Sequence, residues 1–351
     1  MKKIVFDNII YSLQRSGGIS SMWSLLQDHI MCDAEYDCQF IERNDVKNNI
    51  YRKDRKISTD KIINERAILP LTLSRYLGPK IDLEVDNQYV FHSSYYRNIN
   101  DCKSKKIVTV HDFIYERYMS GMRRKLHQLQ KYCAINQADI VVCVSKNTCE
   151  DLFRYLPDVD KDKVEVIYNG VSTDFYQDLS IEKDDRLLYV GSRAKYKNFD
   201  KFIEALSETS YGLDICGAPL TKNETYLLNK KIGKNRYRVY SNIDNKGLNQ
   251  LYNKALCLVY PSSYEGFGLP IIEAQKAGCP VIALCESAMQ EIIGPSPLLM
   301  PKMDCKTMRK HIKMLQSQDL INEVVEMGIA NSQRFSGEKM ADLYKEIYQR
   351  L

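Results

Sequence analysis

Residues Pro261–Leu284 read PSSYEGFGLPIIEAQKAGCPVIAL and follow the apolar run ALCLVY at 255–260. The runs ALCLVY and PVIAL have the length of buried strands, and IIEAQKA between them has the length of a two-turn helix. Pro270 suits the first helical position, and Gly278 suits the residue beyond the last turn. The stretch therefore predicts a β-α-β unit, whose two strands lie parallel in one sheet.

The loop that leads into this helix has the chemistry of a ligand site. Gly266 and Gly268 carry no side chains, so a ligand could approach the backbone closely, and the unpaired N–H groups of a helix start attract an anion. We expect Glu273 in the first helical turn, where it could accept both hydroxyls of a ribose, and Glu265 facing the cleft. A first-turn glutamate also offsets the helix dipole, so the loop alone does not decide its function.

Short apolar runs alternate with helical patterns along the rest of the chain. The other predicted strands are KIVF, YVFHS, KIVTVHD, DIVVCVS and VEVIYNG in the first half and RLLYVGS, GLDICG and RYRVYS in the second. This alternation predicts an α/β fold with parallel sheets covered by helices on both faces. The 351 residues are enough for two such doubly wound domains, and ligands of these sheets bind at the carboxyl ends of the strands.

The boundary between the two domains is predicted near the middle of the chain. Residues 172–186, STDFYQDLSIEKDDR, are polar and without periodicity, which is typical of an interdomain linker. The last segment, FSGEKMADLYKEIYQRL, predicts a helix with Ser336 as its N-cap. The pattern alone does not indicate which domain this helix joins.

Composition and charge narrow the classes of protein. Lysine and arginine number 50 against 45 acidic residues, and this excess of +5 is too small to indicate nucleic-acid binding. MKKIVFDNII at the N-terminus is interpreted as a strand, and no run approaches the roughly 20 apolar residues of a membrane-spanning helix. The 11 cysteines include no Cys-x-x-Cys pair, which indicates free thiols in a reducing cytoplasm. Asp158 and Asp160 lie in a charged loop, and we expect no metal site there.

The segment EGFGLPIIEAQKAGCPVIA closely resembles the signature of the group-one, or family four, retaining glycosyltransferases, which have the GT-B fold. LLYVGSRAKYKNFDKFIEAL resembles the strand and loop that open the nucleotide-binding domain of that family. The resemblance implies two Rossmann-like domains that face a cleft. Residues 1–175 would bind the acceptor and residues 176–335 the nucleotide sugar, while a helix at 336–351 would cross back to the first domain.

The resemblance also implies roles for residues of the second domain. Arg193 and Lys197 would hold the diphosphate of the donor, and fixed cations there would stabilise the negative charge that develops as it leaves. Glu273 would hold the ribose and Glu265 the sugar. The remaining donor contacts would come from the glycine loop and from two strand ends near the base: Gly266, Phe267, Gly268, Leu269, Gly217 and Ile243.

In the first domain, the resemblance implies a glycine loop and a histidine. Gly17 and Gly18 in SGGISSMWSLL would let the backbone approach the diphosphate and the donor sugar. His111 in TVHDFIYE would bond hydroxyls of the donor sugar, and its position at a strand end supports that role. His92 in VFHSSYYR is the weaker candidate.

The implied activity is transfer of a hexose-type sugar, with retention, from a UDP- or GDP-sugar to a hydroxyl of a glycan or lipid-linked saccharide in bacterial surface polysaccharide synthesis. The donor is a substrate, and neither a metal nor another cofactor is expected. The basic, apolar-edged stretch RYMSGMRRKLHQLQKY could rest on anionic lipid, which favours a cytoplasmic enzyme with a peripheral contact on the inner face of the plasma membrane.

Two alternatives stay open at this point. A sugar-nucleotide epimerase or phosphorylase has the same architecture and differs in its products. A catalytically inactive partner subunit would keep the fold and lose charged site residues, whereas all four of those named above are present. A nicotinamide-dependent oxidoreductase is disfavoured because no Gly-x-Gly-x-x-Gly follows a predicted strand.

Overall fold

A computed structural model describes residues 1–53, 55–66, 69–81 and 87–351 of the chain. These residues form two compact units. Unit 1 comprises Met1–Gly170 together with Ser336–Leu351, and unit 2 comprises Val171–Phe335. The division after Gly170 lies slightly ahead of the limit at residue 175 that the sequence predicts.

Unit 1 is built on a parallel sheet of seven strands in the order β3-β2-β1-β4-β5-β6-β7. The strands are β1 (Lys2–Asp7), β2 (Tyr36–Glu42), β3 (Ile62–Asn64), β4 (Tyr89–Ser93), β5 (Ser104–Val110), β6 (Ile140–Cys143) and β7 (Val164–Val166). The helices that precede unit 2 are α1 (Ile9–Leu13), α2 (Gly18–Met31), α3 (Ile50–Lys53), α4 (Leu71–Ser74), α5 (Ile114–Tyr118), α6 (Gly121–Gln137) and α7 (Lys146–Tyr155).

Unit 2 is built on a parallel sheet of six strands in the order β10-β9-β8-β11-β12-β13. The strands are β8 (Arg186–Val190), β9 (Gly212–Cys216), β10 (Tyr237–Tyr240), β11 (Cys257–Tyr260), β12 (Val281–Leu284) and β13 (Leu299–Met300). The helices are α8 (Phe199–Leu206), α9 (Lys222–Lys231), α10 (Asn245–Lys254), α11 (Leu269–Lys276), α12 (Ala288–Ile293), α13 (Cys305–Met314) and α14 (Gln318–Ser332).

The two sheets share one topology. In each unit the first strand lies inside the sheet, the second and third strands lie to one side, and the later strands lie to the other. Consecutive apolar residues in the first strands are buried on both faces, as with Ile4, Val5 and Phe6 in β1. That burial explains why the sequence shows continuous apolar runs, and the predicted α/β class is confirmed.

The last helix, α15 (Gly337–Arg350), belongs to unit 1. The Ser336 hydroxyl accepts the Lys339 N–H at 3.1 Å, which confirms the predicted N-cap. Tyr344 and Tyr348 of this helix are buried in the core of unit 1. Their hydroxyls hydrogen-bond Thr109 at 3.0 Å and His92 at 2.8 Å, so the helix is joined to the ends of β4 and β5 by polar as well as apolar contacts.

Two features differ from the sequence prediction. The segment 172–186 is not a free linker: its Phe175 is buried, and the N–H groups of Tyr176 and Asp178 donate to Asn249 and Asn253 of α10. The segment packs within unit 2; its Glu182, Lys183 and Asp185 are exposed, whereas Arg186 is buried at the start of β8. Strands β2, β3 and β13 were also not predicted, because polar residues interrupt β2 and the other two are very short.

Candidate functional site

Two glycines in unit 2 lie where neighbouring strands end. Gly191 follows β8 with φ +127°, and Gly217 follows β9. The Gly191 N–H donates to the carbonyl of Cys216 at 2.9 Å, and a Cβ on Gly217 would lie only 2.6 Å from the Gly191 carbonyl oxygen. Both positions therefore favour glycine, and they leave bare backbone at the carboxyl edge of the sheet.

Arg193 lies beside these glycines in a fixed orientation. Its Nε donates to Glu224 Oε1 at 2.7 Å, and its Nη2 donates to the carbonyls of Ala218 and Pro219 at 2.9 Å each. Its Nη1 is buried and has no hydrogen-bond partner among the described residues. A Cβ on Gly217 would lie 3.4 Å from Nη1, so the unsatisfied amino group is next to the glycine edge.

Lys197 supplies a second cation at the same edge. Its Nζ lies 2.5 Å from Glu265 Oε1 and 3.4 Å from the hydroxyl of Tyr260, and the side chain is 11% exposed. The Nζ is also 3.9 Å from the position of a Cβ on Gly191. The predicted diphosphate cation and the predicted sugar carboxylate are thus an ion pair in this structure.

Ser287 holds the Glu265 backbone and was missed by the sequence reasoning. Its hydroxyl accepts the Glu265 N–H at 2.9 Å and donates to the Glu265 carbonyl at 3.1 Å. Ser287 itself has φ 49° and ψ −138°, a conformation that costs a residue with a side chain about 1–3 kcal/mol. Such strain persists where surrounding contacts enforce it, and here two hydrogen bonds to one site residue do so.

Glu273 lies farther from the start of its helix than the sequence predicts. Helix α11 begins at Leu269, so Glu273 is its fifth residue and lies in the second turn; the predicted first-turn position is wrong. Pro270 is the second helical residue, and Gly278 follows the helix with φ +65°. The helix starts earlier because Gly268, with φ +101°, takes the N-cap position.

Burial dominates the electrostatics of Glu273. The Tyr252 hydroxyl donates to its Oε2 at 2.9 Å. Burial raises the pKa of Glu273 from 4.5 to about 7, and the Tyr252 hydrogen bond opposes the rise. The carboxylate also contributes to a raised pKa of Cys216, after burial of that thiol, which puts Glu273 close to the end of β9.

The other predicted donor contacts surround this region of unit 2. Gly266 and Gly268 flank Phe267, whose ring is buried edge-on against Phe335 at 5.7 Å. The side chain of Phe267 is therefore part of the core. Leu269 opens α11; Pro270 beside it has no N–H, and the Ile271 N–H donates to the Gly268 carbonyl at 2.9 Å. Ile243 is half-buried in the turn after β10.

His111 follows β5 in unit 1 and is buried. Its backbone N–H donates to the Tyr96 hydroxyl at 3.3 Å, and its Nε2 has no hydrogen-bond partner in the described part of the chain. Burial lowers the pKa of the imidazole to about 4, so it is neutral at pH 7. A neutral ring with an unsatisfied nitrogen suits a hydroxyl of a ligand.

His92 has a different environment from His111. Its Nδ1 pairs with the Tyr348 hydroxyl at 2.8 Å and its Nε2 with Thr109 at 3.0 Å. Both nitrogens are satisfied inside the core, and burial lowers the pKa of the ring to about 3. The structure therefore gives His92 the contacts of a core residue.

Gly17 and Gly18 open helix α2. The φ of Gly17, 164°, is extended backbone that any residue adopts, so its conformation does not require glycine. A Cβ there would instead meet the side-chain amide of Gln14 at 2.6 Å. The Gln14 side chain, rather than the backbone angle, limits this position.

The structure brings together one set of predicted residues in each unit. In unit 2, Arg193, Lys197, Gly217, Glu265 and Glu273 lie around the carboxyl ends of the strands. His111, Gly17 and Gly18 belong to unit 1. Within the described ranges, no group of three or more His, Cys, Asp or Glu side chains could hold a metal ion. Of the helices described, none combines the length and apolar character needed to cross a membrane.

Two family models match adjoining parts of the chain. The family model for glycosyl transferases group 1 matches residues 172–323, and that for glycosyltransferase family 4 matches residues 51–175. The O-antigen chain mannosyltransferase RfbU of Salmonella typhimurium is 30% identical over 216 residues, which are 60% of this chain and 60% of the relative. The matched region is thus less than two thirds of that relative's length.

Solved structures show the same fold. Sucrose-phosphate synthase (tll1590) from Thermosynechococcus elongatus has a TM-score of 0.74 at 18% identity, covering 100% of this chain and 99% of that one. Anabaena Alr3699/HepE, in complex with UDP and glucose, has a TM-score of 0.75 at 14% identity, covering 100% of both chains. The predicted GT-B fold is confirmed, and the chain belongs to the group 1, family 4 glycosyltransferases.

Proposed function

We propose that the protein is a retaining glycosyltransferase that moves a hexose-type sugar from a UDP- or GDP-sugar to a hydroxyl of a glycan or lipid-linked saccharide. The observation that carries the proposal is the pair of oriented cations, Arg193 and Lys197, beside the bare backbone of Gly191 and Gly217. Fixed positive charge beside exposed backbone at the end of a parallel sheet suits a diphosphate. The names of the relatives support surface polysaccharide synthesis as the process.

The proposed roles combine the family resemblance with the contacts described above. Glu273 accepts the ribose hydroxyls with the carboxylate that Tyr252 orients. Glu265 and the N–H groups from Phe267 to Leu269 hold the sugar, and neutral His111 bonds a sugar hydroxyl. Gly217 and Ile243 lie near the base, and Gly17 and Gly18 near the diphosphate. No metal or other cofactor is part of the proposal.

The reaction proposed is a substitution on one face of the sugar. The bond from the anomeric carbon to the phosphate oxygen breaks, and the bond to the acceptor oxygen forms on the same face. The acceptor proton passes to the departing diphosphate. Arg193 and Lys197 stabilise the charge that grows on that group, which is where positioned cations contribute most to the rate.

The test is nucleotide binding followed by product analysis. UDP, GDP and their sugars, GDP-mannose and UDP-glucose first, are screened by thermal shift, and a ligand that binds is assayed for transfer. Lys197→Ala should weaken diphosphate binding at least tenfold, since a charge-assisted hydrogen bond is worth about 1.5–3 kcal/mol. Lys195→Ala is the matched control, because Lys195 is exposed in the same loop.

Glu273→Ala tests the ribose role in the same assay and should weaken nucleotide binding without loss of the fold. A protein that no nucleotide or nucleotide sugar stabilises would contradict the transferase proposal. Release of a free epimer or a sugar phosphate, in place of a new glycosidic bond, would favour an epimerase or a phosphorylase.

We also propose that the enzyme works at the cytoplasmic face of the plasma membrane through helix α6. Met122, Leu126 and Leu129 repeat at helical spacing on its outer side and are 69%, 43% and 68% exposed. Residues 121–137 include Arg123, Arg124 and Lys125 and no acidic residue. An exposed apolar stripe flanked by cations suits a surface of anionic lipid.

Vesicle cosedimentation tests this contact. The protein should sediment with phosphatidylglycerol vesicles and not with phosphatidylcholine vesicles. Met122→Ser combined with Leu129→Ser should abolish the binding, whereas Leu179→Ser, at an apolar residue that is 87% exposed in unit 2, should not. Equal sedimentation of all variants would contradict the assignment to α6.

A further inference from the structure

One carboxylate in unit 2 makes two connections at once. Glu224 Oε1 accepts from Arg193 Nε at 2.7 Å, and its Oε2 accepts the Thr221 N–H at 2.7 Å. The Thr221 hydroxyl in turn accepts the Glu224 N–H at 3.2 Å, which completes a capping box at the start of α9. The orientation of Arg193 is therefore tied to the N-terminus of a helix.

The other contacts of Arg193 leave one amino group for a ligand. The Ala218 and Pro219 carbonyls occupy Nη2, and the side chain is only 6% exposed. Nη1 is buried with no hydrogen-bond partner among the described residues, and a buried donor without an acceptor is unfavourable. Because Glu224 and the two carbonyls fix the plane of the guanidinium, Nη1 cannot turn to another acceptor without breaking them.

We propose that Glu224 is a positioning residue for Arg193 and holds Nη1 where it meets the phosphate group that is bonded to the donor sugar. The inference rests on the proposed function and adds a residue to it. Glu224 does not touch the donor; it removes the rotational freedom of the guanidinium before the donor arrives, which is the usual source of affinity from preorganisation.

The charge state of Glu224 is compatible with this role at neutral pH. Partial burial opposes its ionisation, but the Arg193 guanidinium and the Thr221 N–H hold the pKa of Glu224 below its ordinary value. The carboxylate therefore stays ionised and keeps both acceptors available. A glutamine at this position has one acceptor oxygen and can satisfy only one of the two donors.

Calorimetric titration of nucleotides on the full-length protein tests the proposal. UDP is compared with UMP, and GDP with GMP. In each pair, the ratio of the two dissociation constants reports contact with the second phosphate. Glu224→Ala should weaken diphosphate binding about tenfold, the scale of one lost ordering contact, and leave monophosphate binding within twofold. Arg193→Ala should lose at least as much, and the double variant should equal Arg193→Ala because Glu224 acts through Arg193.

Thr221→Ala is the matched control for the helix cap. It removes the hydroxyl acceptor of the capping box and leaves the Arg193–Glu224 ion pair in place. It should lower the melting temperature as a lost cap does and keep the preference for the diphosphate. Glu224→Gln, which retains the shape and one acceptor, should give an intermediate loss and decides the question if Glu224→Ala does not fold.

The outcomes separate the two proposals. If Glu224→Ala retains the wild-type preference for the diphosphate, or if Thr221→Ala loses as much of it, the positioning role is wrong while the donor site stands. If the wild-type protein binds no nucleotide, or does not prefer a diphosphate to a monophosphate, the donor site is wrong and the role of Glu224 falls with it.

Discussion

The two units have the same strand topology and treat charge at the end of their first strand in opposite ways. In unit 1, Asp7 ends β1 and accepts from Arg97 at 2.7 and 2.9 Å and from the Ser93 hydroxyl at 2.8 Å. Arg97 also pairs with Glu65 at 2.9 Å, and these charged side chains are 0–4% exposed. In unit 2, Gly191 follows β8, and Arg193 beside it keeps a buried N–H that no described residue accepts.

Under the proposed function, topology determines where a ligand can bind, while the residues at the strand end determine whether one does. The buried charges of Asp7, Arg97 and Glu65 satisfy one another, which stabilises the fold and leaves no unsatisfied donor in that cluster. The cluster in unit 2 has one unsatisfied donor, on Arg193, and one carboxylate of raised pKa, Glu273. It is less stable without a ligand, and a ligand can supply the missing hydrogen-bond partners. The following variants test this contrast, in order of expected effect.

Arg97→Met should destabilise unit 1 by about 3–5 kcal/mol, because it leaves two buried carboxylates without a cation. Trp23 is buried in this unit and is the one tryptophan of the chain, so its fluorescence during urea unfolding reports on unit 1. Lys105→Met, which removes the half-exposed pair with Asp139, should cost less than about 1 kcal/mol. Similar losses for the two variants would contradict the contrast.

Glu273→Gln, unlike Arg97→Met, should increase stability: it should stabilise unit 2 at high pH. Between pH 4.5 and about 7, the folded protein retains a proton that the unfolded chain has released. The free energy of unfolding therefore falls as the pH rises through that window, by about 3 kcal/mol in total. The glutamine variant lacks this loss, so it should melt higher than wild type at pH 8 and at the same temperature near pH 4.5.

Circular dichroism at several pH values measures the effect, and nucleotide titration on the same samples measures its functional cost. The wild-type advantage in nucleotide affinity should grow as the pH rises through about 7, because only the ionised carboxylate accepts two hydroxyls. Equal melting temperatures for the two proteins at pH 8 would mean that Glu273 is not strained by its burial.

Ser287→Ala should destabilise unit 2 by about 1–2 kcal/mol, since it removes two hydrogen bonds to Glu265 and keeps the unfavourable backbone angles. Ser287→Gly removes the same bonds and relieves the strain, so it should be more stable than the alanine variant by about 1 kcal/mol. Both should lower the rate of sugar transfer. A glycine variant less stable than the alanine variant would show that the backbone is not strained.

Tyr252→Phe should destabilise unit 2 by about 1 kcal/mol, the smallest of these effects, because one hydrogen bond to Glu273 is lost. Since that bond favours the ionised form, its loss should raise the pH at which nucleotide affinity increases by roughly one unit. Among the described residues, Tyr252 from α10 donates to Glu273 and Cys216 from β9 is a second titratable group near it, so Cys216→Ser is the control and should shift the pH profile less. An unchanged pH profile for Tyr252→Phe would show that this hydrogen bond does not determine the pKa of Glu273.

The sequence predicted most of the strands of unit 2 and the β-α-β unit around EGFGLP, because these depend on local apolar periodicity and on glycine and proline. It did not predict the Arg193–Glu224 pair or the hydrogen bonds from Ser287 to the Glu265 backbone, since the partners are far apart in sequence and no spacing rule connects them. It placed Glu273 in the first turn because it took Pro270 as the first helical residue, whereas the helix begins one residue earlier, at Leu269, with Gly268 as its N-cap. In unit 1, β2 was missed because its partly buried polar residues hide the pattern of a strand.

The helix that completes unit 1 is encoded after all of unit 2. During synthesis, Val171–Phe335 leaves the ribosome before Ser336–Leu351, so the earlier segment of unit 1 must wait without Tyr344 and Tyr348. In that interval His92 and Thr109 lack their hydroxyl partners, and the core surface that α15 covers is open. Unit 2 is continuous in sequence and can fold before unit 1 is complete. Until α15 is synthesised, chaperones and proteases therefore have access to the incomplete core of unit 1.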